Sequence, residues 1–518
     1  MVSFFNFLPF GIRSLLQKII SKPFLLRTSF ILILFFAILL RSWNFGTLPD
    51  GLHQDEAMLA YNAWADIEYG MDMNGDHNPV YSVAWGSGQN AGYNYVIRPF
   101  IKMFGLNIVS IRLPMLMLGI ISLFFFYLLL KHFFGTGVAL LGFFILAFNP
   151  WHIMISRWAL ECNLAPLLFL PAVYFTAISP KKPAFFILGM FLLGLSSYGY
   201  VTVLMLFVIF IPLMVWHVFY HKIIPAKYAI FGFLTFVLVS APLAMCIFIN
   251  TFDFPAFNFL NITVPRMTVL RSASTVSFNI DNFKHFGEFM LAGYEGHIYN
   301  AIPPFGALYP FMLAFIVFGI YVLFVKYRNE AFEMKFWFIS AVIMALVISI
   351  NINRINMIFF PLIFLATLGV AEIHRKAKFV IPVFAILVIA TTIGFAKVYF
   401  TEFNDRSRWA YHWQFDKAVE YAVQNVPPNA TIYFGHVPYS LVLYATKMPP
   451  QIFLNTRVWV NPNWEFRHPI RFDRFATGIP HYLQTGDIGI FTEHDSKQFH
   501  NNQVKKVTKF GNYVVIEN

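Results

Sequence analysis

Apolar runs close to the ~20 residues needed to cross a hydrocarbon core recur from Thr28 to Phe400 and then stop. A backbone in lipid must satisfy its own hydrogen bonds, so a chain built of such runs folds as a bundle of spanning helices. The expected spans are 28–40, 109–130, 138–148, 164–178, a nearly continuous pair over 185–216, then 230–249, 305–325, 336–350, 355–371 and 379–400. The pair divides at Ser196-Ser197-Tyr198-Gly199. That makes about eleven crossings. With 58% hydrophobic and only 12% charged residues over 518 positions, a soluble enzyme of this size is excluded.

The formal charge is +12, yet no basic run is interleaved with exposed aromatics, and nucleic acid is not the expected partner. The basic residues instead punctuate the short connections: Lys131, Lys181-Lys182, Lys222 and Lys227, Lys326 and Arg328, Arg375-Lys376 and Lys378. Counting from a cytoplasmic N-terminus, all of these fall inside and the segments around Asp55, Arg157, Asn250 and Arg354 fall outside, as the positive-inside rule requires. An odd number of spans leaves the C-terminal part outside the cell. Residues 1–27 alternate Phe and Leu with Arg and Lys, which suits either an interfacial amphipathic helix or a basic tail. The first span lacks a small-residue cleavage site and reads as a retained anchor. Only Cys162 and Cys246 are present, so one bridge is the most that a disulfide framework can offer.

The division expected is a membrane domain over 1–400 and a small extracytoplasmic α/β domain over 401–518. In the latter, 416–426 has helical spacing, 439–446 suits a second helix, 431–434 and 487–491 suit strands, and 504–516 suits a hairpin turning at Gly511-Asn512.

Polar residues at the outer face carry the chemistry. The loop 41–107 holds His53, the adjacent acids Asp55 and Glu56, then Asp72, Asp76 and His77. A second segment carries Arg157 and Glu161, four apart and so expected on one helix face. Arg98, Arg112 and Arg354 sit at membrane depth, where ionisable groups face a cavity or one another. A carboxylate facing a cavity suits a general base, and arginines at its level suit a phosphate. Together they fit a lipid-phosphate-linked sugar. The bland readings are a solvated acidic pair, a structural ion pair and a snorkelling arginine. The histidines have no metal-ligand spacing.

Leu52-His53-Gln54-Asp55-Glu56-Ala57, Tyr69-Gly70-Met71-Asp72, Asn74-Gly75, Ile111-Arg112-Leu113-Pro114, Asn149-Pro150-Trp151-His152 and Ser156-Arg157-Trp158-Ala159-Leu160-Glu161 occur in this order. The set resembles the bacterial branch of glycosyltransferase family 39, akin to protein O-mannosyltransferases and the aminoarabinose transferase of lipid A, within the GT-C fold. The resemblance is strongest over the first ~165 residues and weak over the C-terminal domain. It implies an all-α polytopic membrane glycosyltransferase using a polyprenyl-phosphate sugar donor, normally with inversion. Asp55 corresponds to the catalytic acid and Glu56 belongs to the same motif. Arg112 corresponds to a partner of an acid or of the donor phosphate, and Arg157, Glu161 and Arg354 to the cavity wall and donor phosphate. Some relatives use a divalent cation (Mg or Mn) and others do not, and no ligands for one can be assigned here. Acceptor selectivity is expected in the 250–304 loop, with Arg266, Arg271, Tyr294, His297 and Tyr299 as candidates, and in the C-terminal domain. The acceptor, whether protein, lipid or glycan, is unknown. The rival readings are a glycolipid transporter or flippase, and a polysaccharide polymerase or ligase using a lipid-diphosphate donor.

Overall fold

The computed structural model describes residues 22–269, 280–499 and 504–518. The amphipathic stretch 1–21 and Arg271 lie outside the described residues.

Helix α1 (Lys22–Ser42) is the first apolar run. The loop expected over 41–107 is in fact structured: it contains α2 (Gln54–Tyr69), the two-residue strands β1 (Tyr81–Ser82) and β2 (Gln89–Asn90), and α3 (Gly92–Phe104). Helix α2 is set by its ends rather than by an apolar stripe. The His53 side chain and Glu56 form a reciprocal capping box at its start, and Gly70, left-handed at φ 69°, closes it.

The runs expected at 109–130 and 138–148 form one long element, α4 (Ile108–Ala147), broken at Gly135. There φ is 81° and ψ 176°, open to glycine but not to an L side chain. The chain doubles back, so that the rings of Tyr127 and Phe143 meet at 6.0 Å. Then follow α5 (Pro150–Ile155), α6 (Leu164–Ile178), α7 (Ala184–Ser196), α8 (Thr202–Tyr220) and α9 (Ala226–Thr251). The expected 250–304 loop carries the hairpin of β3 (Phe257–Phe259) and β4 (Ile262–Val264), and α10 (Ile280–Ala292). The last membrane helices are α11 (Met312–Tyr321), α12 (Phe332–Val347), α13 (Phe359–Lys376) and α14 (Val380–Thr401). Among the described residues seven helices are long and apolar enough to cross a membrane. The other expected crossings are the shorter α7, α11 and α12.

The core of the bundle is rich in aromatic side chains, with Trp151 and Trp337 fully buried. A polar seam crosses it: Trp151 Nε1 donates to Asn356 Oδ1 at 2.7 Å, and Asn356 Nδ2 donates to Asn163 Oδ1 at 2.9 Å. This seam ties α5 to the N-terminal ends of α6 and α13.

The C-terminal part carries a seven-stranded sheet in the order β10-β11-β9-β5-β8-β7-β6. Its strands are β5 (Ile432–Tyr433), β6 (Val458–Trp459), β7 (Pro469–Phe472), β8 (Phe475–Ala476), β9 (Ile488–Thr492), β10 (Lys506–Phe510) and β11 (Tyr513–Glu517). The central β5 pairs parallel to both β8 and β9. Two further helices, Phe415–Asn425 and Tyr439–Thr446, stand where helical spacing predicts them, whereas β6, β7 and β8 are too short to show as alternation. The unit is seated on the 43–107 segment by hydrogen bonds to backbone carbonyls. Leu52 N donates to Tyr411 O at 2.6 Å, Tyr61 Oη to Met448 O at 2.6 Å, and Arg467 N to Trp85 O at 2.6 Å.

Candidate active site

Asp55 stands in the first turn of α2, where two neighbours shape its surroundings. His53 Nδ1 accepts the Asp55 backbone N–H at 3.3 Å and lies 3.5 Å from Asp55 Oδ2. The Asp55 side chain remains 30% exposed. Around His53, the rings of Trp158 and Tyr299 each lie 5.4 Å away, and His297 stacks on Tyr299 at 5.1 Å. Burial, with the charge of Asp55 adding to it, pushes the Tyr299 hydroxyl up to about 12. His297 and Tyr299 therefore reach the neighbourhood of the acid from the far loop.

Glu56, expected beside Asp55 as a catalytic residue, is placed away from the cavity, in a buried ion pair. Its carboxylate and the Arg112 guanidinium are both completely buried, with Arg112 Nε to Oε1 and Nη2 to Oε2 each at 2.8 Å. Glu56 also accepts the backbone N–H groups of His53 at 3.2 Å and Ala159 at 2.9 Å. Arg112 gives its remaining donors to Pro49 O at 2.7 Å and Gly51 O at 2.9 Å. Of the two roles expected for Arg112, acid partner is the one the geometry shows. Four of its five N–H groups are engaged in this way, and the side chain is completely buried.

Arg157 too is placed away from the cavities. It is fully buried and donates to the carbonyls of Arg41 at 2.7 Å, Trp43 at 2.6 Å and Leu48 at 3.1 Å, securing the chain as it leaves α1. It does not share a helix face with Glu161, because α5 ends at Ile155 and only a 3-10 turn, Glu161–Asn163, follows. Arg98 pairs with Asp66 at 2.5 Å. Arg41 does a similar job unforeseen from sequence, bonding the carbonyls of Ala37 and Ala147 and the His152 ring. Buried carbonyls at helix ends need donors, and a guanidinium brings several at once.

Two cavities meet beside Asp55. The first, of about 460 Å³, lies between the outer loop and the C-terminal sheet and is lined by Asp55, Trp85, Gln89 and Glu161 on one side and His436, Tyr439, Arg467 and His468 on the other. The second, of about 210 Å³, is walled by apolar side chains including Leu204, Met205, Ile247 and Ile348, and holds Arg354. Gly88, Gln89 and Glu161 border both. Gln89 Nε2 spans the junction, 3.0 Å from Glu161 Oε2 and 3.3 Å from Asp55 O. At Gly88, left-handed at φ +95°, any Cβ would run into the Tyr81 ring. Of the predicted residues the structure thus brings together Asp55, Glu161 and Arg354, and removes Glu56, Arg112 and Arg157 from the cavity. Trp85, Gln89, His436, Arg467 and His468 were missed. The only sequence sign was the Gly-Ser-Gly-Gln run at 86–89, which marks close backbone approach but no chemistry.

The remaining acids of the loop, grouped by sequence with His53, sit apart from it. Asp72 is fully buried, and its Oδ1 accepts the N–H groups of Asn74 at 2.7 Å and Asp76 at 3.1 Å. Burial first, and the charge of Asp76 second, push its carboxyl from 3.8 up to about 8. A carboxyl raised in the folded state contributes stability present below the unfolded value and lost as pH rises through the folded one. Stability is therefore expected to fall between about pH 4 and 8, and Asp72→Asn, which keeps the acceptor oxygen, to flatten that fall. Melting temperatures of both proteins at pH 5, 6, 7 and 8 check this; parallel curves would refute it.

Cys162 and Cys246 are both free and buried, so the bridge left open by the sequence is not made. Among the described residues no group of three His, Cys, Asp or Glu side chains could hold a metal ion.

Residues 91–245 match the model of the dolichyl-phosphate-mannose-protein mannosyltransferase family. No curated protein matches. ArnT from Cupriavidus metallidurans, in a crystal structure bound to undecaprenyl phosphate, superposes with a TM-score of 0.58 at 11% identity, over 96% of this chain and 98% of that one. The oligosaccharyltransferase of Archaeoglobus fulgidus superposes with a TM-score of 0.53 at 14% identity, over 80% of this chain and 61% of that one. These likenesses carry the architecture, and the matched segment, which includes Gly92 to Cys162, carries the enzyme class against the transporter reading. The chain is a multi-pass membrane glycosyltransferase of the GT-C fold, similar to glycosyltransferase family 39.

Proposed function

We propose that the protein transfers a sugar from a polyprenyl-phosphate donor to an acceptor at the outer face of the cell membrane. The observation that carries this reading is the pair of cavities sharing the Gly88-Gln89-Glu161 wall, one apolar with an arginine, the other polar with an accessible carboxylate. The prenyl end and phosphate occupy the apolar side, with Arg354 at the phosphate. The sugar reaches past Gln89 and Glu161, whose polar atoms suit its hydroxyls.

Asp55 takes the proton from the acceptor hydroxyl or amine as that atom attacks the anomeric carbon. The bond from this carbon to the phosphate oxygen breaks, and polyprenyl phosphate leaves with the electron pair. Attack from the face opposite the phosphate inverts the centre, so a β-linked donor yields an α-linked product. The outward acids and inward basic loops support a cytoplasmic N-terminus and an extracytoplasmic C-terminal domain. The likeness to ArnT, seen with undecaprenyl phosphate, supports a monophosphate carrier over a diphosphate one.

The test is incubation of the full-length protein in membranes with a pool of radiolabelled sugar polyprenyl phosphates. Label should leave the carrier and free polyprenyl phosphate should appear; turnover confined to diphosphate donors would sink the reading. Arg354→Gln should raise the donor KM by about 10- to 100-fold, the worth of a hydrogen bond to a charged group. An unchanged donor KM would remove Arg354 from the phosphate.

A further inference from the structure

The wall of the polar cavity opposite Asp55 and Glu161 has the other sign. It is built by the C-terminal sheet and carries His436, Arg467 and His468. Arg467 differs from the other strongly buried arginines. Arg112 has a carboxylate, and Arg41 and Arg157 have several carbonyls each. Arg467, only 9% exposed, stacks on the Trp459 ring at 4.6 Å and gives one side-chain hydrogen bond, from Nη1 to Thr268 Oγ1 at 3.2 Å. Its buried Nε donates to nothing, as is also true of Arg41 and Arg157, but unlike them it has no set of carbonyl acceptors, and no carboxylate pairs with it among the described residues. A guanidinium taken out of water without an anion is costly, so a cavity-facing one is a place for an anion from solution.

We infer that the acceptor carries an anionic group, a phosphate or a carboxylate, held by Arg467 with His436 and His468 while its nucleophilic atom faces Asp55. This rests on the transferase reading above and adds the acceptor class to it. The donor phosphate is not the anion in question, because it stays joined to its prenyl chain on the Arg354 side of the Gln89 wall, which Arg467 does not line. A planar guanidinium suits either oxyanion, and the two histidines that line the same cavity add donors without fixing which.

Glycerol, glycerate and glycerol phosphate share a skeleton and differ in charge, so they serve as probes. Each is titrated against the full-length protein in nanodiscs, with tryptophan fluorescence as readout, since Trp85 lines the cavity. An anionic probe should bind at least 10-fold more tightly than glycerol, and whichever of glycerate and glycerol phosphate binds better names the group. Arg467→Gln should abolish that preference and leave undecaprenyl phosphate binding intact. His436→Gln, at an exposed position, should weaken it about 3-fold and does not depend on how Arg467 packs. Equal binding of all three probes, or an Arg467→Gln protein that keeps the preference, overturns the inference. Loss of undecaprenyl phosphate binding in Arg467→Gln also overturns it, by assigning the arginine to the donor. A wild type that binds the anionic probe but no undecaprenyl phosphate would instead overturn the donor reading and leave the anion site standing.

Discussion

Asp55→Asn is expected to lower transfer by about 10²- to 10⁴-fold, the range of general-base catalysis, with little change in melting temperature. The side chain is 30% exposed and its carboxylate makes no buried ion pair, so amidation costs the fold little. Asn offers the same shape but cannot take a proton from the acceptor. If Asp55 is the base, kcat falls while the donor KM holds, because the donor is bound on the far side of Gln89. The measurement is initial rate against donor concentration for wild type and variant in proteoliposomes. An Asp55→Asn enzyme with more than a tenth of wild-type kcat would move the proton-accepting role to Glu161, the other acid on the cavity wall.

Arg112→Met is expected to act on stability. Removing this guanidinium strands a carboxylate of zero exposure and leaves the carbonyls of Pro49 and Gly51 without donors. Breaking a buried pair from one side costs about 3–5 kcal/mol, a large part of what a folded protein has. The yield of folded protein and its melting temperature should collapse. The double variant Glu56→Met, Arg112→Met removes both charges and should recover part of the loss, though Ala159 N–H then lacks its acceptor. A catalytic role predicts otherwise: Glu56→Gln and Arg112→Met would fold normally and lose only turnover. Thermal unfolding monitored by intrinsic fluorescence separates the two.

These two variants show why adjacent acids in one motif divide their labour. Asp55 and Glu56 are one residue apart in the first turn of α2, so they point about 100° apart around the helix. One faces the cavity and the other the bundle. Nothing in the one-letter code says which, because that depends on where α3, α4 and the Ala159 segment lie around α2. The arginines make the same point. Arg98, Arg112, Arg157 and Arg354 all stand at one membrane level in the sequence, and only Arg354 lines a cavity, the others being spent on Asp66, Glu56 and backbone carbonyls. Membrane depth makes a charge costly, and a costly charge is as readily paired for structure as kept for a substrate.

What the chain alone determined is what lipid and local geometry enforce. Apolar runs of spanning length become helices because the bilayer offers the backbone no other partner, and Gly135 lies at the break between two of them. The Phe415–Asn425 helix and the β10–β11 hairpin were legible for the same local reasons of spacing and turn chemistry. Helix α2 was not, since its stability comes from neighbours and end caps rather than from an apolar period, whereas α3 does carry one in Tyr93, Ile97 and Ile101. Only the tertiary structure decided the site. Asp55, Gln89 and Glu161 come from the membrane part and His436, Arg467 and His468 from the sheet, more than 250 residues away along the chain. Seating that sheet on the Trp85 loop encloses the cavity, and a surface shared by two such distant segments has no signature in either one.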